Sequence, residues 1–418
     1  MSNSSGGPTV AVIGAGVVGT AIGLWLQRRG LRTVLLDPGE PGSGCSAGNS
    51  GAISPGSVAP LAMPGVLASV PGMLLDDESP LHLPLGYLPR AVPWLTRFVA
   101  SARPARVAVA AARLASLHQG TVSMHRKLTS ELGVPELFRA RGHLHLYRDE
   151  AALAKDAGGW QLRTNHGYVA QQLDRSGIER LESAAPTRYR VGMFLDDHAT
   201  ILNPHRYVTA MASAFVGAGG EIERVAVSAI GWDGAVWKLQ GARQCGYDHV
   251  VVAAGAWSRA LLDPLGVRIA LESQRGYHVQ FDGGADLVSR TVVLTDKKVF
   301  VTPMEQGLRF GGTVEIGGLR NPPDPRRAAL LQRIAIESFP HLAGRQAMTW
   351  MGHRPCMPDS VPVVGAAPGQ PGLWLAVGHG HLGLTDSLPT AQRIADAICG
   401  TVPATARTPS PATPAPPA

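Results

Sequence analysis

The stretch Thr9-Val10-Ala11-Val12-Ile13-Gly14-Ala15-Gly16-Val17-Val18-Gly19 decides how the chain begins. Thr9 to Ile13 is a short apolar run, the pattern of a strand buried on both faces of a parallel sheet. Gly14 to Gly19 then has GxGxxG spacing. Gly14 permits a tight turn, Gly16 lets a pyrophosphate approach the backbone, and Gly19 lets the next helix pack against the strand. That helix runs from Thr20 to Arg29 and ends at Gly30, a natural C-cap. Its N-terminus presents free N–H groups and a positive dipole end to phosphates, with Val17 and Val18 inside the loop. Arg32 to Leu36 reads as a second strand closing at Asp37, 23 residues after Gly14. A carboxylate there accepts hydrogen bonds from a ribose 2′-OH and disfavours a 2′-phosphate.

GxGxxG alone says only dinucleotide, and three later segments narrow it. Gly44-Cys45-Ser46-Ala47-Gly48-Asn49-Ser50-Gly51 is small and polar, suited to lining a pyrophosphate and a ribityl chain with N–H groups and hydroxyls. Val250 to Ala253 is a buried strand ending in Ala254-Gly255-Ala256-Trp257, where a ligand can approach the sheet edge. Leu373 to Val377 is another, followed by Gly378-His379-Gly380-His381-Leu382-Gly383-Leu384-Thr385 and a final helix. A helix N-terminus at that point suits the N1–C2=O edge of a flavin, where negative charge collects on reduction. Taken in this order, the segments predict FAD rather than NAD.

Between the ends the pattern changes. Val107 to Leu132 reads as one helix and Gln171 to Ala184 as another. Gly276 to Phe310 holds several strand-like runs separated by turns, the mark of an antiparallel sheet. The expected fold class is therefore α/β (α+β). It comprises a discontinuous Rossmann-like FAD-binding domain (8–60, 201–265 and 351–400) and a substrate domain on a mixed or antiparallel sheet (61–200 and 266–350). Residues 401–418 are rich in Pro, Ala and Thr and read as a disordered tail.

Composition excludes other classes. The chain has 418 residues and a net charge of +7. It has no dense Lys/Arg run interleaved with aromatics, which argues against nucleic acid. Its four cysteines are Cys45, Cys245, Cys356 and Cys399, with no CxxC pair. That spacing argues against a metal site or a disulfide framework and fits a reducing, cytoplasmic setting. Asp196-Asp197-His198 reads as a turn rather than a metal cluster, because adjacent side chains on a strand point to opposite faces. The polar N-terminus lacks the basic region of a secretory signal, and no transmembrane run is expected. Contact of the Pro/Leu-rich stretch from Leu81 to Phe98 with the inner membrane face stays open, as does the oligomeric state.

These segments resemble the small subunit of bacterial D-amino acid dehydrogenase, within the wider D-amino acid oxidase, glycine oxidase and sarcosine oxidase superfamily. Ser54-Pro55-Gly56-Ser57, Asn203-Pro204, Arg275-Gly276-Tyr277-His278, Gly311-Gly312-Thr313-Val314-Glu315 and Arg354-Pro355-Cys356-Met357-Pro358-Asp359 extend the resemblance from about residue 9 to 400. The resemblance implies oxidation of a Cα–N bond by hydride transfer to flavin N5. The resulting imine is then hydrolysed to an oxo acid. It matches Asp37 to the ribose-binding acid, Val227 to a backbone contact with adenine, and Arg354 to the partner of the substrate carboxylate. Several relatives link flavin through a cysteine, but the offset of Cys356 from Arg354 does not match theirs, so the resemblance implies non-covalent FAD.

A planar guanidinium takes a carboxylate bidentately, so Arg354 is the leading substrate-binding candidate. Tyr277 is a candidate second donor to that carboxylate, His278 a candidate acceptor for the amine proton, and His381 a candidate wall of the pocket. The substrate is an amino acid, a D-amino acid first. Glycine, sarcosine, another N-substituted amino acid or an imino acid is the alternative. The electron acceptor is oxygen, a quinone or another carrier. An NAD dehydrogenase and a non-catalytic flavin-binding subunit are the remaining readings.

Overall fold

A computed structural model describes residues 7–65, 81–243 and 245–401. The polar N-terminus, part of the Pro/Leu-rich stretch and nearly all of the Pro/Ala-rich tail lie outside the described residues.

The first elements follow from the opening stretch: β1 (Thr9–Ile13), α1 (Val17–Arg28) and β2 (Arg32–Asp37). Then come β3 (Ala52–Ile53), β4 (Leu81–His82), α2 (Leu88–Ser101), α3 (Pro104–His118) and α4 (Thr121–Glu131). The middle of the chain supplies β5 (Phe138–Arg139), β6 (His143–Tyr147), α5 (Glu150–Lys155), α6 (Ala157–Asn165), β7 (Gln171–Leu173), α7 (Arg175–Leu181), β8 (Val191–Leu195), β9 (Ala199–Ile201) and α8 (Pro204–Gly217). Four strands and a short helix follow: β10 (Glu221–Arg224), β11 (Ala229–Trp232), β12 (Trp237–Gln240), β13 (His249–Val252) and α9 (Ser258–Leu262). The last part holds β14 (Glu272–Asp282), β15 (Thr291–Leu294), β16 (Val299–Met304), β17 (Gly307–Ile316), α10 (Pro325–Ser338), β18 (Ala347–Cys356), β19 (Val363–Ala366), β20 (Leu373–Val377) and α11 (Gly383–Thr401).

Two sheets carry the fold. A six-stranded sheet runs in the order β10-β2-β1-β13-β20-β19. Its pairings are parallel except β19–β20. Val10, Val12, Leu35 and Val251 point to one face, against α1, α8 and α11. Ala11, Ile13, Leu36, Val250 and Val252 point to the other, against Trp237, Tyr247 and Leu262. Burial on both faces is why these strands read as unbroken apolar runs.

A nine-stranded sheet runs β18-β14-β17-β16-β15-β6-β8-β7, with β4 added on β17. Its pairings are antiparallel except β15–β6 and β17–β4. Val279, Phe281, Leu308 and Phe310 cover one face with Leu331 and Ile334 of α10. His278 of β14 and Arg309 of β17 turn to the other face, toward the loops of the first sheet. The expected fold class therefore holds, with the dinucleotide sheet gathered from distant parts of the chain.

Three local readings change. The helix expected over 107–132 is two, because Gly120 turns left-handed at φ 74° between α3 and α4. Residues 171–184 are not one helix: 171–173 pair with β8, and Asp174 caps a helix that starts at Arg175. In addition α4 packs through Leu128 into the core of the six-stranded sheet, although it falls in the 61–200 segment.

Candidate functional site

The dinucleotide loop separates structural glycines from an open one. A Cβ on Gly19 would meet the Gly14 carbonyl oxygen at 1.8 Å, and one on Gly14 would meet that of Ala253 at 2.4 Å. A Cβ on Gly16 would meet only Ser46 Oγ, at 3.4 Å. Strand and helix packing therefore demands Gly14 and Gly19, whereas Gly16 leaves free space at the start of α1. There Val17 N–H donates to Ser46 Oγ at 2.9 Å. The Asp37 carboxylate accepts from Ala15 N–H and Gly39 N–H, both at 2.8 Å, and so shapes the turns on either side of it. Val225 N–H donates to the Asp37 carbonyl at 3.0 Å, which brings the stretch containing Val227 alongside the end of β2.

Between these loops and the nine-stranded sheet lies a cavity of about 430 Å³. Asn49, Ser50, Gly380, His381 and Leu382 line it from the loop side; Gln274, Gly276, Arg354 and Trp350 line it from the sheet. The loop from Ala47 to Gly51 is clamped from below. Arg309 donates to the carbonyls of Ala47 and Asn49, and His278 Nδ1 donates to that of Gly48 at 3.0 Å. Trp350 stacks on His278 at 5.1 Å. Asn49 Oδ1 accepts from Gly51 N–H at 2.8 Å, closing the turn. Three successive carbonyls are drawn toward the sheet, while Ala47 N–H and Asn49 N–H close turns on the carbonyls of Gly44 and Ser46.

The edge formed by α11 is equally fixed. Gly380 N–H donates to the Pro355 carbonyl at 2.8 Å, and Thr385 Oγ1 accepts from Ser54 N–H at 3.0 Å. Thr121 Oγ1 donates to the Thr385 carbonyl, and His125 Nε2 to that of Leu384 at 3.0 Å. His118 Nε2 lies 3.1 Å from Asp386 Oδ1, and both side chains are fully buried. Burial pushes the His118 imidazole down, but Asp386 and the Pro55 carbonyl outweigh it and hold its pKa above the usual value. Gly383 starts α11. Ala254 and Gly255 follow β13, and Trp257 lies edge-on to His353 at 5.4 Å, about half exposed.

Arg354 extends across β14, so a Cβ on Gly276 would sit 2.2 Å from its guanidinium. Its NH1 donates to the Thr313 carbonyl at 2.9 Å. Thr313 has φ 56° at a register shift of β17, a strained conformation that coincides with the carbonyl Arg354 uses. Among the described residues the cavity lining contains no Asp or Glu. Burial lowers the Arg354 pKa, with only Cys356 and Cys45 opposing. Burial and the Arg354 charge hold His381 down at about 4, so its imidazole is neutral near pH 7.

Two expectations change. Tyr277 faces away from the carboxylate position: its hydroxyl donates to Glu315 and accepts from Asp324 N–H at 2.9 Å, beneath α10. Alternation along β14 puts Arg275 and Tyr277 on the core face and Gln274, Gly276 and His278 on the cavity face. His278 is not placed as a proton acceptor. Burial pushes it to about 3, with the charge of Arg309 adding to this, and its Nδ1 is spent on the loop. Arg309 and Gln274 went unmarked in the sequence; their one signal is a polar residue at alternate positions of an otherwise apolar strand.

The residues fit a dinucleotide. Gly16 leaves the space, α1 the N–H groups, and the clamped loop continues the groove into the cavity. Residues 9–397 match the model of the FAD dependent oxidoreductase family. The chain belongs to this family. FAD is its cofactor, and it is a flavin oxidoreductase. It is 36% identical over 408 residues to a D-amino-acid oxidase of Bradyrhizobium diazoefficiens, covering 95% of this chain and 96% of that one. It is 33% identical over 427 residues to D-amino acid dehydrogenase 2 of Ralstonia nicotianae, covering 96% and 98%. Its fold matches glycine oxidase from Geobacillus kaustophilus with a TM-score of 0.73 at 20% identity, covering 94% of this chain and 95% of that one. Among the described residues no helix is long and apolar enough to cross a membrane.

Proposed function

We propose that the cavity oxidises the Cα–N bond of a D-amino acid whose carboxylate is held by Arg354. The observation that carries this reading is a guanidinium set in a cavity whose lining, among the described residues, holds no acidic side chain. Its contacts are backbone carbonyls. An unmatched cation of this kind favours an anionic ligand, and the planar fork takes a carboxylate bidentately. The D-amino acid assignment draws on the two relatives at 36% and 33% identity. Bound flavin supplies the hydride acceptor; the protein supplies position and exclusion of water.

FAD is non-covalent in this reading. Cys356 is buried, with its thiol pushed up to about 12, which makes it a poor nucleophile. Flavin that stays with acid-precipitated protein would overturn that. A peripheral contact with anionic lipid is supported by Leu85, Leu88 and Val92, all exposed beside Arg90 and Arg97. Flotation with phosphatidylglycerol vesicles tests it, and protein left at the bottom of the gradient removes it.

The test of the main reading is anaerobic titration with D-amino acids, their L-enantiomers, glycine, sarcosine and proline, following the bleaching of bound flavin. Bleaching by D-amino acids and not their mirror images supports it. Bleaching by glycine or sarcosine alone replaces the substrate class. Peroxide formed in air identifies oxygen as the acceptor.

A further inference from the structure

Gln274 stands directly opposite Arg354 in the register of β14 and β18. Opposed side chains of an antiparallel pair leave the same face with Cβ atoms about 4.5–5.5 Å apart. Gln274 is 5% exposed and borders the cavity. No hydrogen bond to its amide is seen among the described residues, and the amide atoms are not sealed from the cavity. Amides in folded proteins are nearly always satisfied, by protein, water or ligand. An amide on a cavity wall with no protein partner is therefore free to bond a ligand that enters.

The available partners decide which ligand group that is. Donors are plentiful on this wall, because Arg354 keeps N–H groups beyond those given to Thr313 and Gly312. Among the described residues the lining has no carboxylate, the carbonyls of Thr313 and Gly312 serve Arg354, and Asn49 Oδ1 serves Gly51. The remaining side-chain acceptors of the lining are the hydroxyls of Ser50, Ser54, Ser57 and Thr313, the neutral His381 imidazole and Gln274 Oε1. Of these, Gln274 is the one set directly opposite Arg354 in the strand register. We propose that Gln274 accepts an N–H from the α-amine of the substrate while Arg354 holds its carboxylate. The proposal rests on the carboxylate role of Arg354 given above.

Two consequences follow. The amide is neutral, so it accepts an N–H without holding the ammonium proton as a carboxylate would. The nitrogen lone pair needed for C=N formation is thus easier to free. Adjacent anchors also fix two substituents of Cα, while the side chain goes to the apolar wall of Leu61, Leu81, Phe98 and Phe300. The direction of the Cα–H bond is then set, and Gln274 contributes to the choice of enantiomer.

The test is Gln274→Met in the FAD-loaded enzyme, which keeps length and removes both polar atoms. Two measurements are compared: KM for the best D-amino acid, and Kd for benzoate, a carboxylate without an amine, read from the flavin spectrum. Loss of one hydrogen bond to a buried group predicts a KM rise of about 30-fold with benzoate Kd unchanged. The D-over-L ratio of kcat/KM falls about tenfold. Parallel loss of benzoate affinity would assign Gln274 to the carboxylate and overturn the proposal; an unchanged KM would also overturn it. If benzoate leaves the wild-type spectrum untouched, the role of Arg354 fails and this proposal fails with it. Should Gln274→Met lose FAD, Gln274→Asn repeats the comparison with a shortened amide, and the same outcomes decide.

Discussion

The cavity has two walls built on different principles. The wall assigned to the cofactor is made of backbone, the loop from Ala47 to Gly51 and the N-terminus of α11; the loop from Gly14 to Gly19 lies outside the cavity lining. The substrate wall is made of side chains, Arg354, Gln274 and Trp350, on a rigid sheet. A backbone wall recognises groups shared by every molecule of the cofactor. A side-chain wall can change its ligand by changing one residue while the sheet stays intact. The two meet at Arg309 and His278, sheet side chains that hold loop carbonyls.

The sharpest test of this division is Gly16→Val. The side chain fits the protein but fills the phosphate space, so flavin affinity falls by about 1000-fold or more while the melting curve of the apoprotein is unchanged. Flavin content after gel filtration reads it, and retained flavin would break the assignment of Gly16 to the cofactor. Next is Arg309→Met, which releases the loop from below. FAD affinity drops about 100-fold although Arg309 is on the sheet. If affinity holds, the two walls are independent. Arg354→Ala retains FAD and raises KM about 100-fold, because only the substrate wall has changed; steady-state kinetics read it.

Asp386→Asn probes the join between α3 and α11, with an expected loss of about 2 kcal/mol by urea unfolding at pH 6. His118 has a raised folded pKa, so the pair's contribution is complete below the usual histidine value near 6.5 and fades as pH rises through the raised one. The gap between wild type and variant should therefore narrow in alkali. The smallest effect belongs to Asn203→Ala. Asn203 Oδ1 caps α8 by accepting from Arg206 N–H at 3.0 Å, outside the cavity lining, and the loss is about 1 kcal/mol with kinetics unchanged.

The same division explains what the sequence revealed. Gly14, Gly16 and Gly19 act through their mutual spacing along six residues, so the dinucleotide loop is legible in a string of letters. The strand runs near residues 10, 34, 250 and 375 are legible because burial on both faces leaves no polar residue in them. Gln274 and Arg354 become neighbours only through the register of β14 on β18, 80 positions apart. Tyr277 misled for a related reason. Its neighbours in the sequence face the cavity, and only the pleat shows that it faces the core. Val107 to Leu132 misled because its helical pattern survives across Gly120, where the chain turns.

The six-stranded sheet sets a schedule for synthesis. β1 is made long before its neighbour β13, which begins at residue 249, and before β20, which begins at residue 373. At roughly 5–20 residues per second, β1 and the apolar face of α1 wait about 20 to 70 seconds for the end of that sheet to emerge. Until α11 arrives, the core of Val10, Ile22, Leu24 and Ile394 stays open. The nascent chain therefore carries an uncovered apolar face over that interval, and flavin loading waits for α11.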